Sequence, residues 1–182
     1  PTIVRGVAVM GHQVSDGHAR NAPSGVIRAA ACAPRGKGLR GLFATTGELT
    51  GLIAVAGPDH RTQPVDDELA TRTRHFVTAL DGLIPRFREL QEKSRGLSID
   101  SAHSIVFALV HPAHRRNGTL AAMLEPVLQE ALGAGSPVTA STADAHMVDV
   151  YARKWGGRVY GEFTLTDGPT VWFLTVDPPV SV

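Results

Sequence analysis

The second half of the sequence alternates between short apolar segments and longer helical ones, and this order restricts the fold more than any other feature. In chain order the patterns are a strand at 104–110, a helix at 119–132, a strand at 138–142, a helix at 144–155 and strands at 158–166 and 170–176. The last two strands are joined by Asp167-Gly168-Pro169, which favours a tight turn. The order predicts a mixed α/β (α+β) fold, in which helices flank a single, mostly antiparallel sheet.

The first half carries weaker patterns. The expected elements are a strand at 2–9, a loop at 11–17, a short alanine-rich helix at 23–33 and a hairpin of strands 41–46 and 50–56 around Gly47-Glu48. The longest helical pattern, 66–94, is expected to be divided in two by Gly82 and Pro85. Its apolar residues should share one face, and they are Leu69, Phe76, Val77, Leu80, Leu83, Ile84, Phe87 and Leu90.

Composition excludes several classes of protein. The chain has 182 residues, enough for one domain, and its apolar fraction of 43% argues against disorder. No apolar run reaches the roughly 18 residues of a membrane span, so no membrane partner is expected. Cys32 is the only cysteine and cannot form an intrachain disulfide, which favours a reducing, cytoplasmic setting. The net charge of +1 supplies no overall field that would attract nucleic acid.

Residues 104–124 carry the chemistry that the sequence suggests. A buried strand enters a polar loop containing Gly118, and a helix follows directly. Such an arrangement presents backbone N–H groups and the positive end of a helix dipole to a phosphate, and Arg115 and Arg116 add positive charge. Taken alone, the segment favours an ordinary strand-to-helix connection bearing solvated arginines, because a single glycine between strand and helix is a weak signal.

This segment resembles the acyl-CoA-binding motif of the GNAT superfamily of N-acetyltransferases, Q/R-x-x-G-x-G/A after a strand, which falls on residues 115–120. Residues 150–157, V-Y-A-R-K-W-G-G, resemble the second helix of that family. The closing segment 167–172, Pro126 within a helix and the helical segment 66–94 are similar to puromycin-type N-acetyltransferases. The resemblance implies a single GNAT-like domain over 1–182, with 66–94 as a helical insertion.

The resemblance also implies roles for individual residues. Backbone N–H groups at Ala108, Leu109 and Val110 would contact the thioester carbonyl and the pantetheine arm of acetyl-CoA or another acyl-CoA, the donor substrate. Tyr151 would be the general acid that returns a proton to the leaving thiolate. The loop residues that would wrap the pyrophosphate are Arg115, Arg116, Asn117, Gly118, Thr119 and Leu120.

Three positions depart from the family pattern. Leu120 stands where the family has Gly or Ala, so its side chain is expected to narrow the phosphate cradle. Arg116 replaces a residue that is often glycine. Tyr151 matches the family's tyrosine when the alignment starts from Pro137, whereas an alignment backwards from Trp155-Gly156 places Ala152 there, and one helical residue is a rotation of roughly 100°.

No general base is evident in the sequence. Ser141 occupies the position where puromycin-type enzymes carry a glutamate, and His103, His111 and His146 are the possible replacements because histidine titrates near neutral pH. The sequence favours an ordinary loop or surface histidine for each of them, because nothing pairs any of the three with a partner. The pair His111-x-x-His114 does not predict a metal site, since its spacing is short and a third ligand is missing. Cys32 is best explained as a small core residue rather than a nucleophile.

The implied function is that of an acyl-CoA-dependent N-acyltransferase, such as an N-acetyltransferase, which acylates a small-molecule amine by direct transfer. Antibiotic modification or natural-product biosynthesis would be its setting. One alternative is a divergent enzyme of the same fold that uses an aminoacyl-tRNA or a carrier-protein thioester, which the basic residues at 114–116 and 153–158 would suit. Another is a non-catalytic member that binds a ligand, and a homodimer is an open alternative for its assembly.

Overall fold

The computed structural model of the chain describes residues 28–32, 37–59, 66–80 and 82–179. In this part of the chain, seven strands form one sheet in the order β1-β2-β3-β4-β5-β7-β6. The strands are β1 (Arg28–Cys32), β2 (Lys37–Phe43), β3 (Leu49–Ala56), β4 (His103–Val110), β5 (Val138–Thr142), β6 (Arg158–Thr164) and β7 (Thr170–Val176). The helices are α1 (Asp67–Thr78), α2 (Leu83–Lys93), α3 (Thr119–Gly133) and α4 (Ala145–Trp155).

Neighbouring strands are antiparallel throughout, except that β4 and β5 are parallel. The predicted class, a mostly antiparallel sheet flanked by helices, is therefore confirmed. The predicted strand at 2–9 and loop at 11–17 lie outside the described residues.

The predicted helix at 23–33 is wrong for the part that the structure describes. Residues 28–32 form β1, which pairs with β2 so that Ala30 lies opposite Gly41. Alanine favours a helix by only a few tenths of a kcal/mol per residue over most others, and a sheet edge that offers hydrogen bonds overrides so weak a preference. Cys32 accordingly lies at the end of a strand rather than on a helix.

The segment 66–94 divides into α1 and α2 at Gly82, whose φ of 74° is left-handed and suits glycine. Pro85 lies in the first turn of α2, where a missing N–H costs nothing. Three of the apolar residues that were predicted to share one face, Leu80, Ile84 and Phe87, are exposed. Leu90, near the end of α2, is buried against residues of the sheet.

That end of α2 is fixed by apolar packing and by polar contacts, one of which is the 2.6 Å hydrogen bond that Lys93 Nζ donates to the carbonyl oxygen of Thr164. Leu90 packs into a cluster with Leu165, Val171 and Phe173. The Glu89 carboxylate accepts hydrogen bonds from the N–H and the hydroxyl of Thr166, at 2.7 and 2.8 Å, and pairs with Lys93. These partners, Lys93 foremost, lower the pKa of Glu89 to about 2.

The main core lies on the other face of the sheet, beneath α3 and α4. Leu124 and Val127 of α3 meet Ile53 of β3, Val138 of β5 and Leu174 of β7 in one apolar cluster. None of the helices in the described ranges has the length and apolar character that crossing a bilayer requires. The core thus fixes β4, β5 and the helices that follow them as one unit.

Candidate active site

The two parallel strands in the middle of the sheet separate after a short contact. β4 and β5 pair only at His103 with Val138 and at Ser104 with Thr139. At this closed end the Ser104 and Thr139 hydroxyls lie 3.0 Å apart. Beyond it, β4 continues along β3 and β5 continues along β7, so the edges that face each other have no strand between them. The result is a cleft whose walls offer backbone N–H and C=O groups.

A β-bulge alters β4 within this cleft. Ala54 lies opposite Phe107 while its neighbour Val55 lies opposite Ile105, so Val106 has no partner in β3. A bulge changes the direction in which the following backbone groups point. Residues 108–110, which were assigned to the thioester and pantetheine arm, lie directly after it. Their edge facing β5 is open.

The loop between β4 and α3 follows β4 at the open end of the cleft. Among the described residues, none accepts a hydrogen bond from the backbone N–H groups of Arg116, Asn117, Gly118 or Leu120. Gly118 precedes the helix with a φ of 86° and supplies no side-chain cap. Several free N–H groups at a helix N-terminus form a favourable environment for an anion.

Side-chain contacts fix the shape of this loop. The buried Thr119 hydroxyl donates a 2.9 Å hydrogen bond to the carbonyl oxygen of His114, and it lies 2.6 Å from Asn117 Oδ1. Arg115 Nε donates a 3.4 Å bond to the carbonyl oxygen of Val110, which ties the loop to the end of β4. The loop is therefore shaped before any ligand arrives.

Arg116 and Leu120 can now be assessed at the positions where they depart from the family pattern. Arg116 has a φ of 63°, in the left-handed region. A side chain costs roughly 1–2 kcal/mol there, which explains why glycine is frequent at this position. Leu120 is half-buried and packs against the main core. This packing argues against the expectation that its side chain narrows the phosphate cradle.

Tyr151 faces inward from α4, and Ala152 beside it is exposed. The tyrosine is 6% exposed, and its ring meets Trp155 edge-on at 5.1 Å between centroids. Among the described residues, the buried side-chain polar atom without a hydrogen-bond partner is Nε1 of Trp155 rather than the Tyr151 hydroxyl. Burial raises the pKa of Tyr151 far above its ordinary value, so the buried phenol is a weaker acid than an exposed one. Of the two alignments, the one through Tyr151 places a proton-bearing side chain in the interior.

Neither a model of a protein family nor a curated protein matches the sequence. Solved structures do match it. A Corynebacterium glutamicum protein, described as histone acetyltransferase HPA2 and related acetyltransferase, is 15% identical and has a TM-score of 0.56, covering 81% of this chain and 68% of its own. The ribosomal-protein-S18-alanine N-acetyltransferase of Escherichia coli is 11% identical, with a TM-score of 0.50 and coverages of 82% and 74%. The chain has a GNAT fold.

The GNAT fold confirms the resemblance that residues 104–124 and 150–172 suggested, at the level of architecture. The position of the cleft between β4 and β5 can now be compared with the positions of the motif residues. The cleft lies next to the loop 115–120, and α4, which bears Tyr151, follows the second of its two strands. Residues 108–110 and the loop 115–120 border this opening, whereas Tyr151 lies in the main core beneath the sheet.

The structure does not bring the possible general bases of this GNAT fold together. His103 Nδ1 lies 3.0 Å from Ser136 Oγ at the closed end of the cleft. His111 follows β4 at the open end, and His146 is exposed in the first turn of α4. Ser141 is half-buried on β5, opposite Phe173. No one of these four is selected as a base by its position.

The two basic clusters, 114–116 and 153–158, differ in how far neighbouring groups of the protein pair with their positive charges. Arg158 forms a 2.8 Å ion pair with Asp177, Arg153 Nε donates to the carbonyl oxygen of Asp149, and Lys154 lies 5.7 Å from the Trp155 ring. Arg115 and Arg116 are exposed and form no ion pair with the described residues. The cluster at the loop is therefore the better anion site. The loop 59–61, which with 66–94 would shape the site for the acceptor, has Asp59 within the described residues, where it is exposed, and His60 and Arg61 outside them.

Sequence reasoning missed Glu48 in the turn between β2 and β3. Its Oε1 lies 3.7 Å from His114 Nε2, and one potential ligand atom each of Glu48, His111 and His114 lie within 4.8 Å of one another. Glu48 thus supplies a candidate for the third ligand that the spacing His111-x-x-His114 does not contain. The antiparallel pairing of β3 with β4 brings this turn beside the end of β4. The sequence does predict the hairpin that carries Glu48. The missing information is that its second strand, β3, pairs with β4.

Proposed function

We propose that this protein is an acyltransferase that moves an acyl group from acetyl-CoA, or another acyl-CoA, to the amino group of a small molecule. The observation that carries the proposal is the cleft between β4 and β5, which opens onto a loop with unpaired N–H groups and two exposed arginines. A thioester with a pantetheine arm and a pyrophosphate has the matching chemistry, since it offers amides to a strand edge and an anion to a helix N-terminus. The GNAT fold supports the same donor.

In the proposed reaction each residue has a definite task. The N–H groups of residues 116–118 and 120 hold the pyrophosphate, and Arg115 and Arg116 balance its charge. Backbone N–H groups of residues 108–110 stabilise the oxygen that becomes negative when the amine attacks the thioester carbonyl. A C–N bond forms, the C–S bond breaks, and the Tyr151 hydroxyl gives its proton to the departing thiolate. The proton that the amine loses passes to water.

The acceptor belongs to the same proposal. Between β3 and β4 the chain carries the segment around Asp59 and the helices α1 and α2. An insertion at this point of the chain can shape an acceptor pocket. A small-molecule amine of the kind that puromycin-type enzymes acylate fits this arrangement. The proposed settings are natural-product biosynthesis or antibiotic modification in the cytoplasm.

Two glycines that flank α3 provide a matched test of the donor site. Gly118 and Gly135 have φ of 86° and 73°, and a Cβ at either would meet no atom within 4 Å. Valine at either position therefore imposes similar backbone strain, but only Gly118→Val distorts the proposed phosphate loop. Calorimetric titration with acetyl-CoA should show at least a tenfold loss of affinity in Gly118→Val and near wild-type affinity in Gly135→Val. Equal affinities in the two variants would reject the loop as the donor site.

The same titration separates the alternatives. A wild-type protein that binds acetyl-CoA in the micromolar range and acetylates an amine supports the proposal. Failure to bind any CoA thioester, together with binding of an aminoacyl-tRNA or a carrier-protein thioester, would favour a different donor. Tight binding of acetyl-CoA without turnover across a panel of amines would favour a non-catalytic member. Mass spectrometry of the purified protein for a bound CoA species gives an independent reading.

A further inference from the structure

Glu48, His111 and His114 come from two turns whose backbones are fixed by hydrogen bonds. In the turn between β2 and β3, the Ala44 N–H donates to the carbonyl oxygen of Glu48 at 2.9 Å. At the end of β4, the His111 N–H donates to the Thr50 carbonyl oxygen at 2.9 Å, and the His114 N–H donates to the His111 carbonyl oxygen at 2.8 Å. Because the backbone is already ordered, only side-chain rotation opposes the meeting of the three groups.

The distances among the three side chains suit a cation better than they suit direct contact. His114 Nε2 and Glu48 Oε1 are 3.7 Å apart, which is too long for a hydrogen bond. Ligand atoms bound to Zn²⁺ at about 2.0–2.2 Å stand roughly 3.3–3.6 Å from one another in a tetrahedral site. The three ligand atoms already lie within 4.8 Å of each other, so small rotations bring them to that separation.

The donor set has the chemistry of a known class of metal site. Two imidazoles and one carboxylate are ligands that Zn²⁺ accepts while keeping a fourth position for water or another ligand. His111 Nδ1 accepts only a long 3.3 Å hydrogen bond, from the Ala113 N–H, which a cation can replace. The side chains of Glu48 and His114 are 53% and 26% exposed, so an ion can enter from solvent. A simple exposed ion pair between Glu48 and His114 would contribute little to the stability of the fold.

We propose that Glu48, His111 and His114 form a binding site for one divalent transition-metal ion of the Zn²⁺ class. The site lies beside the loop 115–120, since the His114 carbonyl oxygen accepts the hydrogen bond of Thr119 at the start of α3. It shares His111 with the possible general bases and His114 with the basic cluster of the loop, but metal binding does not depend on whether acyl transfer is the function of the chain.

The test is titration of the metal-free protein with Co²⁺, followed by absorption spectroscopy, and with Zn²⁺ in competition with a chromophoric chelator. We expect one ion per chain, with the visible absorption of a tetrahedral Co²⁺ site. Glu48→Gln, His111→Ala and His114→Ala should each weaken binding at least tenfold. His75→Ala and His146→Ala, which change exposed histidines on α1 and α4, should leave it unchanged.

Thermal unfolding in the presence of a chelator checks that each variant is folded. Glu48→Gln retains the size and shape of the side chain, so a folded variant with weakened binding is the decisive supporting result. Wild-type affinity in both Glu48→Gln and His114→Ala would overturn the proposal. Absence of stoichiometric binding in the wild type, or loss of binding in either control variant, would overturn it as well.

Discussion

The two helices that follow the parallel strands begin at the same edge of the sheet but in different ways. α4 begins after Asp144, whose carboxylate accepts a 2.9 Å hydrogen bond from the His146 N–H. α3 begins after Gly118, which has no side chain to offer. The nearest substitute is the neutral amide of Asn117, whose Oδ1 accepts a long 3.4 Å bond from the Thr119 N–H.

Both termini have the same dipole, so the dipole does not explain which one can bind an anion. At α4 a negative charge of the protein already occupies the position, and a second anion would be repelled. At α3 the position is open and two arginines stand next to it. The comparison teaches that an uncapped terminus, rather than a helix terminus as such, marks the candidate phosphate site.

The largest effect on donor affinity is expected when the uncapped N-terminus of α3 is given a carboxylate, as the N-terminus of α4 has in Asp144. Gly118→Asp places a carboxylate at the start of α3, and Gly118→Asn places a neutral group of the same shape there. Both residues tolerate the left-handed backbone better than most others do. Affinity for acetyl-CoA should fall about a hundredfold in the aspartate variant, and much less in the asparagine variant. Isothermal titration measures both, and equal losses would show that charge at this position does not matter.

The next effect concerns the interior of α4 rather than its terminus. Tyr151→Phe removes only the hydroxyl, so the ring contact with Trp155 should survive. We expect turnover to fall at least tenfold with nearly unchanged donor affinity, in keeping with general acid catalysis. Wild-type turnover would leave Tyr151 with a structural role.

The pH dependence gives a second check on Tyr151. Because burial raises its pKa, the proton is retained as pH rises through the ordinary tyrosine value. Turnover of the wild type should therefore show no loss from this ionisation even at about pH 11, where an ordinary tyrosine is mostly ionised. A stopped assay that extends to this pH tests the expectation, and a decline above about pH 10 that Tyr151→Phe lacks would contradict it.

A smaller effect, on stability, is expected at the capped N-terminus of α4. Asp144→Ala removes the cap of α4 and should lower the free energy of unfolding by about 1 kcal/mol. Affinity for acetyl-CoA should not change, since that terminus binds no external anion in our proposal. Asp149→Ala, an exposed change on the same helix, serves as the control for lost charge. Chemical denaturation measures the stability, and a weakened donor affinity in Asp144→Ala alone would remove the contrast between the two termini.

The smallest effect is expected at Arg116. Arg116→Gly relieves the left-handed strain at a φ of 63° and should stabilise the fold by up to about 1 kcal/mol. The lost charge should weaken acetyl-CoA binding a few-fold. Arg116→Lys retains the charge and the strain, so it should show neither change. A glycine variant that is less stable than the wild type would indicate that the arginine side chain supports the loop.

The sequence predicts the second half of the fold closely and the first half less well. β5 and β7 lie at the predicted residues, and α3 ends one residue later than expected. These elements have strong periodicity and clear turn residues at their ends. β1 was predicted as a helix because an alanine run carries no strand signal of its own. Its structure depends on pairing with β2, which a local pattern does not contain.

The candidate site shows the same division. The loop 115–120 and the inward tyrosine follow from local motifs, whereas the cleft depends on how far two distant strands remain paired. The bulge at Val106 and the approach of Glu48 to His114 are likewise consequences of strand register. Register is decided by contacts across the sheet, so a single sequence gives little access to it.

The brief pairing of β4 with β5 has a mechanical consequence. The backbone seam between β1–β4 on one side and β5–β7 on the other consists of two residue pairs, and side-chain packing beneath it supplies the remaining cohesion. A molecule that lies in the cleft and forms hydrogen bonds with both walls would connect β4 to β5 where the two strands do not pair. Ligand at a hundred times its Kd stabilises a protein by about 2.7 kcal/mol. Here that gain should appear as slower amide exchange on both sides of the seam at once, so that the protein becomes stiffest when its substrate is bound.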